Sequence, residues 1–261
     1  MLETPHGEPF VPVTAGRGGP QEIPRPDGAA LGGPAPWAQM PIQDRRVTLR
    51  DVTTALSRHR TPPATGVLGE GVSRSAVLCL LYEHDDDVWT VLTRRSPRLR
   101  HHAHEVAFPG GRREAGDVDL WTTAVREAQE EVGIDPAAIR RIGELDSFTT
   151  VGSKTMVTPF VAATDQRPEL KRDPVEVELI RRVSFGELLL DEVWREEFWP
   201  LPLHSEPRAI SFFELVGDTV WGATGAMLRQ LLAIATGVED TTNTKDTTNN
   251  EDTTDGGVVV G

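Results

Sequence analysis

Residues 108–134 read FPGGRREAGDVDLWTTAVREAQEEVGI. From Leu120 to Val132 the pattern is helical, and Gly133 is a natural residue to end the helix. With Ala124 at zero and about 100° per residue, Ala124, Ala128, Val132 and Val125 fall at roughly 0°, 40°, 80° and 100°. That apolar stripe predicts a helix packed on a core by one face. Glu130, Glu127 and Glu131 fall at roughly 240°, 300° and 340°, with Arg126 beside them at about 200°. Carboxylates at this spacing repel by a few tenths of a kcal/mol per pair, roughly, which an ordinary solvated face tolerates. A bare run of this kind is more often just such a face. Here a Phe108-Pro109-Gly110-Gly111 turn and an acidic loop (Glu114, Asp117, Asp119) come first. Glycines let backbone carbonyls approach a ligand closely. Carboxylates with a nearby carbonyl suit hard divalent cations, and Mg²⁺ keeps waters and joins substrate phosphates.

Working outward, the pattern alternates between strands and helices. Thr48 is placed to cap a helix reaching residue 60, with Leu49, Val52 and Leu56 on one face. Residues 75–82 (SAVLCLLY) form a continuous apolar run, the mark of a strand buried on both faces. Cys79 sits inside it as a small core residue. Asp85-Asp86-Asp87 reads as a turn into a second strand over 88–93, and 105–108 as a short third. Further strands fit 142–149, 155–163, 175–183 and 210–216. A last helix fits 223–235, with Met227, Leu228, Leu231 and Leu232 at helical spacing. This mixture predicts an α+β fold, a sheet covered by helices.

The ends differ from the middle. Residues 1–45 hold nine of the 20 prolines and read as a flexible arm, with Trp37 as the residue through which it would dock. Residues 238–261 carry six acids against Lys245, a net of −5, and repeat Asp-Thr-Thr at 240, 246 and 252 with no apolar positions. They read as a solvated acidic tail. One domain over 46–237 is expected between the two. The net charge of −13 argues against nucleic-acid binding. A single cysteine excludes an internal disulfide framework. No apolar run approaches the ~20 residues of a membrane span, and the first residues lack the pattern of a secretion signal. A soluble cytoplasmic protein is expected. The residues leave oligomeric state open, a homodimer being one option.

The segment 108–134 resembles the signature of the Nudix hydrolases. Its last part, Arg126-Glu127-Ala128-Gln129-Glu130-Glu131-Val132-Gly133-Ile134, stands intact. The spacing from Gly111 to Arg126 is one residue longer than usual, and Asp117 replaces the usual glutamate. Both departures are similar to the coenzyme A pyrophosphatase branch. So is the upstream run Val91-Leu92-Thr93-Arg94-Arg95-Ser96, then Arg100, then Phe108-Pro109-Gly110-Gly111. Arg95, Ser96, Arg100 and the FPGG are in register. Val91 replaces a leucine, and His104 stands where glycine is expected. Residues 212–214 and 220–224 also resemble this branch near its end. The resemblance covers roughly 75–232 and implies a Nudix-type α/β/α sandwich with a mixed central sheet.

It also implies a reaction and a site. Glu127, Glu130 and Glu131, with the Gly111 carbonyl, would hold Mg²⁺ or Mn²⁺. Coenzyme A, a small nucleotide substrate, would be cleaved at its diphosphate to 3′,5′-ADP and 4′-phosphopantetheine, and acyl derivatives likewise. Arg126 would orient a glutamate by ion pairing. The sequence leaves the general base open among a helix glutamate, Glu130 first, and Glu176 or Glu178. Substrate contacts would come from Arg95, Ser96, Arg100, Phe108, Gly110 and Gly111. The residues themselves support a phosphate ligand: Arg94, Arg95, Arg98 and Arg100 with His101, His102 and His104 make a cationic patch before the acidic loop, and arginine forks suit phosphate oxygens. The spacing of the three histidines is poor for zinc. If the expected glycine served close approach to ligand, His104 would reshape the pocket. That keeps open ADP-ribose, NADH or a nucleoside triphosphate as substrate. An inactive Nudix binding domain would be marked by lost glutamates, and all three are here.

Overall fold

The computed structural model describes residues 16–61, 72–99, 102–150, 155–201 and 206–240. Within them the chain runs β1 (Ala30–Leu31), α1 (Leu49–Arg58), β2 (Ser73–His84), β3 (Asp87–Arg95), β4 (Val106–Ala107), β5 (Gly110–Arg112), α2 (Leu120–Val132), β6 (Arg140–Glu144), β7 (Phe148–Thr149), β8 (Thr155–Ala163), β9 (Val177–Ser184), α3 (Phe185–Leu188), β10 (Trp194–Trp199), β11 (Arg208–Leu215), β12 (Asp218–Val220) and α4 (Gly222–Thr236).

The apolar run in β2 is divided by the two-residue period of a strand. Ala76, Leu78, Leu80 and Tyr82 pack with Ala124, Ala128 and Val132 of α2. Cys79 and Leu81 point the other way, into a core shared with Leu49, Val52 and Leu56 of α1 and Leu228, Leu231 and Leu232 of α4. A strand with helices on both faces has no solvated side, hence the unbroken run. Around β2 the main sheet has the order β4-β3-β2-β8-β6, with β5 also on β2, β7 on β8 and β9 on β3. β2 and β8 are parallel, from Ser73 opposite Thr155 to Leu81 opposite Ala163. The other pairings are antiparallel, so the sheet is mixed. Asp85 and Asp86 turn the β2–β3 hairpin at φ 50° and 56°, the left-handed pair that a tight hairpin needs and Asp tolerates. Thr48 caps α1 in a reciprocal box with Asp51. The expected α+β sandwich is observed, although the strand expected over 142–149 is split into β6 and β7.

A second, antiparallel sheet runs β1-β10-β11-β12. Its central strand β10 is absent from the sequence reading, and the reason is charge. Glu196 and Glu197 are buried in it, at 8% and 1% exposure, where a strand interior is normally apolar. Each is compensated: Glu196 accepts from Gly33 N (2.9 Å), and Glu197 pairs with Arg25 and Arg195 and accepts from Trp199 Nε1 (2.7 Å). Buried charges are found where such partners exist.

The expected flexible arm over 1–45 needs correction for its described part. Residues 16–45 pack on the domain. Trp37 is fully buried, edge-on to Trp194 at 5.5 Å and stacked on Phe213 at 6.3 Å, and its Nε1 donates to Leu189 O (3.1 Å). β1 pairs with β10, and Arg45 holds Asp191 at 2.7 Å. A Pro/Gly-rich composition hides this because a few anchors and edge pairings hold the segment. At the other end Arg229 reaches Asp240 (3.1 Å), and the tail from 241 onward lies outside the described residues. Among the described residues no helix is long and apolar enough to cross a membrane.

Truncating Trp37 tests the docking. Trp37→Ala is expected to cost about 3–5 kcal/mol of stability, read by denaturant unfolding. An arm that merely dangles would give a change near zero.

Candidate active site

Asp119 starts α2 by accepting from Thr122 N (2.7 Å), and Gly133 ends it at φ 68°. Ala124, Ala128 and Val132 are buried as the stripe predicts. The glutamates therefore take three graded positions beside the core. Glu131 is 4% exposed, and burial pushes its carboxyl up to about 8, against the pull of Arg95 and the Gly110 amide. Glu127 is half-buried and is also raised, burial again outweighing Arg126. Glu130 is exposed.

One guanidinium holds this arrangement together. Arg126 grips Asp117 with Nε and Nη2, both at 3.1 Å, and Nη2 also donates to Arg112 O (3.1 Å). It reaches Glu127 Oε1 and Glu130 Oε2, each at 3.0 Å. The Arg126 fork, with Glu114 N and Thr123 Oγ1, holds the Asp117 carboxyl well below the usual range. Arg126 thus ion-pairs with two of the three glutamates. The anchoring role of Asp117 was not foreseen, and its only signal was its place in register.

The glycine turn brings β5 under the helix. A side chain at Gly110 would overlap Ala76 O on β2, and one at Gly111 would overlap the Glu127 carboxylate. Gly110 is needed for close approach to the β2 backbone, and at Gly111 a side chain would displace the Glu127 carboxylate. The structure thus gathers Arg126, Glu127, Glu130, Glu131, Gly110, Gly111 and, through its charge on Glu131, Arg95.

Other expected contacts fall elsewhere. Phe108 is 2% exposed and belongs to the core beneath the sheet, so it anchors the turn and does not face a ligand. Ser96 is buried, and its Oγ accepts from Arg98 N (3.3 Å), capping the turn after β3. Arg100 and His101 lie outside the described residues. Arg94 is committed to Asp218 (2.8 Å) and Glu178 (3.4 Å). His102 and His104 take separate carboxylates, Glu105 (2.9 Å) and Glu178 (3.0 Å). His104 has φ 63°, in the left-handed region that glycine occupies at no steric cost. Conformation therefore accounts for the glycine expected there, and histidine meets the same need. Glu178, the third general-base candidate, pairs with Arg94 (3.4 Å) and His104 (3.0 Å). Glu176 is exposed, and its charge acts on both Glu127 and Glu131.

The Nudix domain family matches residues 72–201 of this chain. The chain is 31% identical over 194 residues to the uncharacterized Nudix hydrolase NudL of Klebsiella pneumoniae, covering 73% of this chain and 96% of that one. This chain belongs to the Nudix hydrolase family. It is also 37% identical over 164 residues to Nudix hydrolase 22, chloroplastic, of Arabidopsis thaliana, covering 59% of this chain and 53% of the relative. It thus spans about half the length of that plant relative. Among solved structures, the MutT/nudix family protein from Enterococcus faecalis aligns with a TM-score of 0.44 at 16% identity, covering 70% and 68%.

Nudix hydrolases act on pyrophosphate bonds and generally need divalent metal ions. The donor chemistry here fits such an ion: hard carboxylate oxygens, two of them withdrawn from water, beside a glycine backbone. Among the described residues no three or more His, Cys, Asp or Glu side chains stand together where they could hold a metal ion, and Arg126 supplies the positive charge beside Glu127 and Glu130. Cavities of about 440 and 320 Å³ lie along residues 31–38 with 191–196 and residues 47–48 with 83–87. Neither of these two includes the α2 glutamates.

Asp117→Asn removes the fixed end of the Arg126 fork. It should lower metal affinity or hydrolytic kcat/KM about 10–100-fold, the range for such supporting partners, with circular dichroism unchanged. Wild-type activity in this variant would deny Arg126 its orienting role.

Proposed function

We propose that this protein is a metal-dependent pyrophosphohydrolase that cleaves the diphosphate of coenzyme A or acyl-coenzyme A, giving 3′,5′-ADP and 4′-phosphopantetheine or its acyl form. The observation that carries the reading is the graded glutamate face of α2, held by Arg126 and facing the charge of Arg95. Glu127, Glu130 and Glu131, with the Gly111 carbonyl, would hold Mg²⁺ or Mn²⁺. Such an ion neutralises a diphosphate and lowers the pKa of water.

The chain's own groups divide the remaining work. Arg126 keeps Glu127 and Glu130 turned to one side in spite of their repulsion. Glu130, at the exposed end, accepts the proton of the attacking water as its oxygen bonds to phosphorus and the bridging P–O bond breaks. Glu176 is the second carboxylate in electrostatic reach of the site. Arg95, and Arg100 by its place in register, bind phosphate oxygens. His104 is compatible with the coenzyme A reading, because its left-handed backbone accounts for one of the two departures from the upstream motif.

Glu130→Gln should lower kcat by about 10²–10⁴-fold and leave the fold intact. Retention of most activity would remove Glu130 from the reaction. Arg100→Ala should raise KM for coenzyme A more than KM for dephospho-coenzyme A, which lacks the 3′-phosphate. Equal increases would show that Arg100 does not read that phosphate.

A further inference from the structure

Gln21 lies in the segment that composition marks as a loose arm, yet every polar atom of its side chain is used. Its Nε2 donates to His104 O and to Asp218 Oδ1, both at 2.9 Å, and its Oε1 accepts from Thr219 N at 2.8 Å. An amide offers two N–H donors and one carbonyl, so this side chain is matched to its site. Asp218 is fully buried and also takes Arg94 and Arg181. The segment is pinned just before Gln21 by Gly18 N on Leu215 O (2.7 Å) and by Arg17 on Glu187 (3.2 Å).

The other partner, His104, belongs to the turn that closes the Arg95–Glu105 hairpin. Arg95 N donates to Glu105 O (2.9 Å), His104 N to Arg95 O (3.1 Å) and Glu105 N to His102 O (3.2 Å). His102 and His104 are both left-handed, at φ 58° and 63°. Non-glycine residues hold such backbone only where their surroundings over-determine it. For His104 those surroundings include Gln21 on its carbonyl and Glu178 on its ring. Both backbone groups of Arg95 are bonded within this hairpin, and Arg95 is the residue whose charge opposes Glu131. Its Nε is buried with no hydrogen-bond partner among the described residues, so no side-chain hydrogen bond at that atom fixes it.

We propose that Gln21 is a positioning residue for substrate recognition: through the His104 carbonyl it fixes the turn that carries Arg95, and so sets affinity for the phosphate-bearing substrate. Gln21 touches no substrate. The inference rests on the proposed reading of Arg95 as a phosphate-binding residue. It makes the strap over residues 16–25 part of the site's support.

The test uses the full chain with Gln21→Met, which keeps side-chain length and removes all three hydrogen bonds, and Gln21→Ala as a second variant. Steady-state kinetics are run on coenzyme A and on whichever of ADP-ribose, NADH and dATP the wild type cleaves. The expected result is a rise in KM of about tenfold with kcat within about twofold and a cooperative melt retained. A purely structural role would lower the melting temperature and leave KM in place, and that result overturns the proposal. Variants that do not fold also overturn it, because they assign Gln21 to the fold as a whole. Wild type that cleaves none of the four substrates defeats the functional reading and this inference together. Cleavage with an unchanged KM in both variants defeats this inference alone.

Discussion

Three glutamates within five residues of α2 repel one another, and the Arg126 guanidinium is what makes their common face tenable. It bonds Asp117 in a fork and reaches Glu127 and Glu130 at 3.0 Å each. Asp117 is the fixed end of this clamp, since Glu114 N and Thr123 Oγ1 hold it at 2.9 Å each. Glu131 lies beyond the reach of the clamp and is the most buried of the three. Its carboxyl is raised to about 8 because burial outweighs the nearby Arg95 and Gly110 amide. A face so composed has a strong appetite for positive charge, which is the chemical basis for reading it as a cation-dependent phosphate site.

The rest of the fold serves this face. Small residues, Ala124 and Ala128, let α2 sit closely on Ala76, Leu78 and Leu80 of β2. Gly110 lets β5 lie against β2, and Gly111 leaves room for the Glu127 carboxylate. Phe108 fills the core behind that turn. The same few residues therefore fix helix, turn and carboxylates relative to one another, on sheet and helix positions and not on free loops. The small sheet and the segment 16–45 meet the turn after β3 where Gln21 bonds His104 O and Asp218 Oδ1.

Much of this is written in local periodicity. The 3.6-residue stripe of α2 and the two-sided run of β2 each report a buried face directly, so both elements were legible, along with Gly133 as the helix end. What was not legible depends on long-range pairing. β10 carries Glu196 and Glu197 in its buried interior, acceptable only because Gly33, Arg25 and Arg195 arrive from distant positions. Trp37 looked isolated in a Pro/Gly-rich stretch, and its ring partners Trp194 and Phe213 lie over 150 residues away. At the candidate site, residue type and register singled out the glutamates and Arg126, which the structure brings together on one face of α2. They could not tell a ligand contact from a support, so Phe108 and Ser96 were assigned to substrate when one fills the core and the other caps a turn. His104 looked like a chemical departure until its backbone angle showed a conformational one.

The most direct measurement is hydrolysis by the purified protein with Mg²⁺ or Mn²⁺ of coenzyme A, ADP-ribose, NADH and dATP, with products separated by chromatography. The account predicts 3′,5′-ADP and 4′-phosphopantetheine from coenzyme A, well above turnover of the other three. Preferred cleavage of ADP-ribose, NADH or dATP would contradict the assignment of residues 95–105 to coenzyme A while keeping the glutamate chemistry. No cleavage of any of the four would contradict the account of the α2 face itself.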